Sequence, residues 1–113
     1  MANIVVADDD PAVRVLVAEL LESDGHCVRQ AIDGEHALAV IQGQPPDIVV
    51  SDITMPELNG VELATLLAAE TPGTPILLMS GDCPAPSQAP APCLPKPFAA
   101  DRLLLLVADL LVA

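Results

Sequence analysis

Four stretches of this chain end in residues that together could handle a phosphoryl group. They are Asp8-Asp9 after Asn3 to Ala7, Asp52 after Ile48 to Ser51, Ser80-Gly81 after Pro75 to Met79, and Lys96 within Pro95-Lys96-Pro97. An apolar run rich in β-branched residues reads as a buried strand, and in an open parallel α/β sheet the carboxyl ends of the strands share the edge where ligands bind. Convergence is what carries the signal. An acidic pair alone is usually a helix cap or a solvated loop, but an acidic pair, a third carboxylate, a hydroxyl and an ammonium at one edge form a site.

Two carboxylates about 4 Å apart repel by roughly 4 kcal/mol at an effective dielectric of 20, so three require a cation or shifted protonation. A few carboxylates, a backbone carbonyl and waters suit Mg²⁺, which keeps waters and favours phosphate ligands. Lys96 adds a positive charge, and Ser80 adds a hydroxyl beside the flexible Gly81. These can hold the equatorial oxygens of a phosphoryl group, the electrostatic task that phosphoryl transfer poses. An aspartate can be the nucleophile and form an acyl phosphate, and Asp52 is the candidate.

The elements that must position these residues alternate. Asn3 to Ala7 is a strand, after which Asp10 is placed as an N-cap with Pro11 at the first helical position. Val13, Val17, Leu20 and Leu21 recur at helical spacing until Ser23-Asp24-Gly25. His26 to Ala31 is a weaker strand, Asp33-Gly34 a turn, and Glu35 to Ile41 a short helix. Ile48 to Asp52 is the third strand, and Asn59-Gly60 opens a helix over Val61 to Glu70. Pro75 to Ser80 is the fourth strand, Cys93-Leu94 a short fifth, and Ala99 to Val112 the last helix, capped near Asp101. Such alternation predicts a parallel sheet with right-handed crossovers and helices on both faces.

A chain of 113 residues makes one domain, over residues 1–113, with no room for a second. Phe98 is its single aromatic residue, so the core is aliphatic. The formal charge of −12 repels phosphate backbones and anionic lipid surfaces, which excludes direct nucleic-acid and membrane-surface binding. The longest apolar run, Leu103 to Ala108, falls short of the roughly 20 residues a bilayer needs, and no signal peptide opens the chain. Cys27, Cys83 and Cys93 are odd in number and lack metal-ligand spacing, which argues for reduced thiols in a cytoplasmic protein. His26 and His36 read as surface residues beside turns.

These motifs resemble the receiver domains of two-component response regulators over essentially the whole chain. Val5-Val6-Ala7-Asp8-Asp9-Asp10-Pro11 is similar to the family's acidic pair after the first strand, and Asp52-Ile53-Thr54-Met55-Pro56-Glu57-Leu58-Asn59-Gly60 to its phosphoacceptor loop. Met79-Ser80-Gly81 resembles its hydroxyl position, Leu94-Pro95-Lys96-Pro97-Phe98 its lysine motif, and Ala31 to Leu38 fits as well. The resemblance implies a flavodoxin-like three-layer sandwich with strand order 2-1-3-4-5. It implies that Asp52 takes a phosphoryl group from a phosphohistidine of a sensor kinase or phosphotransfer protein. It further implies Mg²⁺ held by Asp9, Asp52 and the backbone carbonyl of Thr54, with Asp8 acting through a metal-bound water. Lys96 and Ser80 would bind phosphoryl oxygens, the Lys96–Pro97 peptide would be cis, and Thr54 and Asp82 would tune dephosphorylation by water.

Two departures stand out. The family usually carries an aromatic switch residue three positions before the lysine, and here that position is Cys93. Only fifteen residues separate Ser80 from Lys96, with prolines at 84, 86, 90, 92 and 95 among them. An interior proline costs a helix about 3 kcal/mol, so the family's fourth helix is expected to give way to an extended, proline-rich loop. The last helix is apolar around most of its circumference, through Leu104, Leu105, Leu106, Leu111 and Val112 as well as Leu103, Val107 and Leu110. Such a helix wants cover on both sides, from the proline loop, a second copy or a docking partner.

The expected function is a phosphoacceptor signalling module that catalyses its own aspartyl phosphorylation and dephosphorylation, with no output domain in the chain. A protein-interaction module on the same fold would be expected to lose the acidic pair, Asp52 or Lys96, and none is lost. An aspartate-nucleophile phosphohydrolase would want a second acid where Thr54 stands.

Overall fold

The computed structural model describes residues 2–85 and 87–112. In chain order the elements are β1 (Asn3–Ala7), α1 (Pro11–Ser23), β2 (Cys27–Ala31), α2 (Gly34–Gly43), β3 (Ile48–Asp52), α3 (Gly60–Glu70), β4 (Ile76–Ser80), β5 (Cys93–Pro95) and α4 (Ala100–Val112). The strands form one parallel sheet in the order β2-β1-β3-β4-β5, with the register Ala7 to Ser51, Asp52 to Met79 and Ser80 to Pro95. This is the expected flavodoxin-like order. It brings the carboxyl ends of β1, β3, β4 and β5 to one edge.

Alternation along each strand sends successive side chains to opposite faces and divides the core in two. Ile4, Val6, Ile48, Val50, Leu77, Met79 and Leu94 face one way, against Val17 and Leu21 of α1 and Leu103 and Val107 of α4. Val5, Ala7, Val49, Ile76 and Leu78 face the other, against Ala37 and Ile41 of α2 and Leu63 and Leu67 of α3. Every residue of β3 and β4 is buried, as covering by helices on both faces requires. Strands covered in this way read as continuous apolar runs, which is why these two were plain in the sequence.

Helix starts follow the capping residues. Asp10 accepts from the Ala12 amide with Pro11 behind it, and Asp33 accepts from the His36 amide. Asn59 caps α3 in a reciprocal box, its side chain accepting from the Glu62 amide while Glu62 accepts from the Asn59 amide. Asp101 does not cap the last helix. The Ala99 carbonyl receives the first bonds of α4, from Arg102 and Leu103, and Asp101 lies inside the first turn.

Between β4 and β5 the described residues contain no helix, so the proline count reads correctly, although Pro86 lies outside the described residues. The segment folds over itself once, through bonds from the Gln88 and Ala89 amides to the Ala85 carbonyl. Leu106 and Arg102 line a groove with this loop, and Leu104, Leu110 and Leu111 pack against the core. The loop therefore flanks α4 across this groove, while Leu105 stays 58% and Val112 86% exposed.

Two expectations about side chains are corrected. Cys83 and Cys93, expected as reduced thiols, form a disulfide, with their Cα atoms 5.9 Å apart. The loop turns back along β4 and sets the two residues side by side, a juxtaposition that spacing alone did not suggest. His26, expected at the surface, has a side chain only 12% exposed, and its Nδ1 accepts the Ala2 amide at 3.1 Å.

Candidate functional site

Ala7 is the last residue of β1, so Asp8 and Asp9 leave the sheet together and point to different surroundings. Asp8 is fully buried, whereas Asp9 is exposed. One Asp8 oxygen accepts from the Asp10 amide at 2.9 Å, and the Asp8 amide donates to the Ala31 carbonyl. Arg14, one turn into α1, donates from Nη1 to the Asp8 carbonyl at 2.9 Å and from Nε to Gln30 Oε1 at 3.1 Å. The backbone beneath the acidic pair is thereby fixed from two sides.

Asp52 ends β3 and is 7% exposed. The Ser51 hydroxyl donates to its carbonyl at 2.9 Å, and the following Ile53 amide donates to the Met79 carbonyl at 2.9 Å. The loop after Asp52 is clamped by two glycines. A Cβ at Gly60 would run into the Asp52 carbonyl oxygen and come within 2.8 Å of Ile53 Cα, and a Cβ at Gly34 would run into the Leu58 carbonyl. The Gly60 amide also donates to the Ile53 carbonyl at 2.8 Å. Glu57, at the crest of this loop, has φ 69°, beneath a bond from the Leu58 amide to the Pro56 carbonyl. A left-handed φ at a non-glycine residue costs energy and persists only where its surroundings impose it.

Ser80 and Lys96 come from neighbouring strand ends, tied by the Lys96 amide donating to the Ser80 carbonyl at 2.8 Å. The Ser80 hydroxyl accepts from the Asp82 amide at 3.0 Å, which leaves its own proton to donate elsewhere. The Lys96–Pro97 peptide is cis, as the resemblance implies. From this position Lys96 Nζ reaches Asp52 Oδ1 at 2.9 Å and Asp8 Oδ2 at 3.3 Å.

The electrostatics follow from burial. Loss of water raises the Asp8 carboxyl above its ordinary value, and the charge of Asp52 adds to this against the Asp10 amide and Lys96. Burial alone would lower Lys96, but its hydrogen bond to Asp52 and the charges of Asp8 and Asp52 outweigh it, and the net shift is upward. Asp8, Asp9 and Asp52 can each offer an oxygen within 4.8 Å of the other two. A converging all-oxygen donor set, two of its members buried and offset by one ammonium, fits a small hard dication.

The structure brings together Asp8, Asp9, Asp52, Ser80 and Lys96. Thr54 and Asp82 lie exposed on loops that follow Asp52 and Ser80. Cys93 lies half-buried in β5, engaged in the disulfide. Sequence reasoning missed Arg14 and the clamp by Gly34 and Gly60. The Asn59-Gly60-Val61-Glu62 pattern was the available signal for Gly60, since a capping box fixes where the helix, and hence its first glycine, must sit.

A family model described as response regulator receiver domain matches residues 4–108. The chain is 36% identical over 108 residues to the response regulator MprA of Mycolicibacterium vanbaalenii, covering 90% of this chain and 47% of that one. It is 43% identical over 83 residues to a protein-glutamate methylesterase/protein-glutamine glutaminase of Nitrosospira multiformis, covering 72% of this chain and 23% of that one. It thus spans between about a quarter and a half of the length of these curated relatives. Among solved structures, the receiver domain of NtrX from Brucella abortus superposes with a TM-score of 0.89 at 34% identity, covering 97% of this chain and 98% of that one. The chemotaxis response regulator CheY4 of Vibrio cholerae gives 0.89 at 29% identity, with 97% and 98% covered.

Proposed function

The chain belongs to the response regulator receiver domains of two-component systems, and from that premise we propose that Asp52 is its phosphoacceptor. The observation that carries this reading is the single ammonium, Lys96, shared between the buried Asp52 and Asp8 at the carboxyl edge of the sheet. The donor is a phosphohistidine of a histidine kinase or histidine phosphotransfer protein. A carboxylate oxygen of Asp52 attacks phosphorus, the phosphorus–nitrogen bond breaks, and the imidazole leaves with the bonding pair.

Asp9, Asp52 and the backbone carbonyl of Thr54 would hold Mg²⁺, with Asp8 acting through water. The ion would supply positive charge opposite Lys96. Lys96 then follows the charge from the Asp52 carboxylate onto a phosphoryl oxygen, and the Ser80 hydroxyl donates to another. Thr54 and Asp82, exposed on the loops after Asp52 and Ser80, would govern the approach of water and so the lifetime of the acyl phosphate.

We further assign this single domain, residues 1–113, to the cytoplasm, where its kinase partners act, without direct contact to nucleic acid or membrane. Among the described residues no helix is long and apolar enough to cross a membrane. The exposed Leu105 and Val112 favour α4 as the face for a second copy or a docking partner. With Cys93 at the usual switch position, the signal must leave by a route other than an aromatic swing.

The test is incubation with acetyl phosphate and Mg²⁺, followed by intact mass. The native chain should gain one phosphoryl group and Asp52→Asn none. Absence of the gain in the native chain overturns the reading, and persistence of the gain in Asp52→Asn assigns the wrong carboxylate.

A further inference from the structure

Cys83 lies three residues after Ser80, and Cys93 lies three residues before Lys96. The disulfide between them and the Lys96-to-Ser80 backbone bond close a small ring, with the two residues that would grip the phosphoryl group at one end and the sulfurs at the other. Cys83 Sγ lies 3.8 Å from the Ser80 carbonyl, a packing contact, since a disulfide sulfur has no proton to donate. The ten-residue separation of the pair spans the proline-rich loop, which hangs outside this ring.

We propose that the Cys83–Cys93 disulfide is a reversible redox site, opened by a dithiol reductant, whose state sets how firmly Ser80 and Lys96 are held beside Asp52. The consequence for phosphoryl transfer rests on the reading of Asp52 as phosphoacceptor; the redox site itself does not.

Both cysteines are half-buried and line an open groove of about 690 Å³ whose lining also includes Pro84, Pro92, Arg102 and Leu106. Arg102 lines the same groove, and a cation there would favour both the incoming and the departing thiolate. A thiolate of the reductant attacks one cysteine sulfur, forming a mixed disulfide and releasing the other cysteine as a thiolate. The second thiol of the reductant then displaces the first cysteine. Two electrons and two protons pass to the protein, leaving two thiols and an oxidised reductant. Disulfides in a reducing compartment are usually transient and redox-sensing, which suits a bond placed against a regulated site. Once it opens, the Lys96 amide and the Leu78 amide, which donates to the Pro92 carbonyl at 2.8 Å, are no longer backed by a covalent tie.

The experiment compares the native chain before and after treatment with dithiothreitol, alongside the double variant Cys83→Ser with Cys93→Ser. Peptide mapping should find Cys83 and Cys93 alkylated only after reduction, and protected again once the dithiol is exchanged for its oxidised form. Amide exchange at Lys96 should quicken at least tenfold in the reduced chain and in the variant, with Val50 in the sheet centre changing less than twofold. The initial rate of phosphoryl uptake from acetyl phosphate should fall at least threefold. Resistance of the disulfide to dithiothreitol without denaturant overturns the redox site, and equal Lys96 exchange in both states overturns its hold on Ser80 and Lys96. Equal uptake overturns its coupling to Asp52. A response in exchange with no uptake in either state upholds the redox site and refutes the phosphoacceptor reading instead.

Discussion

Lys96 Nζ stands 2.9 Å from Asp52 Oδ1, across 44 residues of sequence, and is the cation that lets Asp52 and the fully buried Asp8 coexist. Its folded pKa lies above the ordinary value of 10.5, so its contribution to stability is fully present below that pH and is lost as pH rises through the folded value. Lys96→Met should therefore cost about 2 kcal/mol at neutral pH, read from urea unfolding without divalent ions. The difference from the native chain should shrink above pH 10.5, and millimolar Mg²⁺ should restore part of the loss in the variant.

Asp8 behaves in the opposite sense. Its folded pKa is raised above 3.8, chiefly by burial, so the folded state holds its proton longer than the unfolded one, and stability falls as pH rises from 3.8 through the folded value. Asp8 ionised at neutral pH is a cost to the fold. Asp8→Asn keeps an oxygen for the Asp10 amide and should raise stability by about 1 kcal/mol, or about 4 °C in calorimetry. The same substitution should weaken Mg²⁺ binding by roughly tenfold in titration calorimetry, separating the stability of the site from its use.

Gly60→Ala should cost about 2 kcal/mol, because the new methyl group meets the Asp52 carbonyl and Ile53 Cα and the phosphoacceptor backbone has to move. Phosphoryl uptake should fall with it by at least tenfold. Gly73→Ala, where the added methyl meets nothing within 4 Å, should stay within about 0.5 kcal/mol and leave uptake unchanged. Thermal melts and intact mass on the two variants distinguish a steric clamp from a general dislike of alanine.

Asn59→Ala removes one half of the capping box and should cost about 1 kcal/mol in denaturant unfolding. Its effect on uptake should be smaller than that of Gly60→Ala, since the cap holds the helix start while the glycine touches Asp52 itself.

Much of this was legible in the sequence because the site is assembled by the strand ends. Runs such as Ile48 to Ser51 announce buried strands, and a carboxylate, hydroxyl or lysine at the end of each must meet its neighbours once the sheet is parallel. That the described residues between β4 and β5 hold no helix was legible too, because proline excludes helix by local sterics. What was hidden depends on the approach of distant backbone. Gly34 was seen as a turn residue, but its close contact is with Leu58, 24 positions away. The disulfide was hidden because the turn at Ala85–Ala89, and not any spacing rule, brings Cys83 beside Cys93. Arg14 was hidden because its target is a main-chain carbonyl, which no residue type advertises.

The shortness of β5 has a consequence for how the domain meets other proteins. The Pro92 carbonyl and the Lys96 amide both face β4, so by the two-residue alternation of a strand the main-chain groups of Cys93 and Pro95 face outward. Of these two, Pro95 has no N–H to offer. An incoming segment would find a single donor, at Cys93, where a ladder needs several, and so could not extend the sheet at this border. The domain is thereby guarded against edge-to-edge aggregation on that side, and any partner recognising the Lys96 end of the molecule must read its side chains and not its backbone.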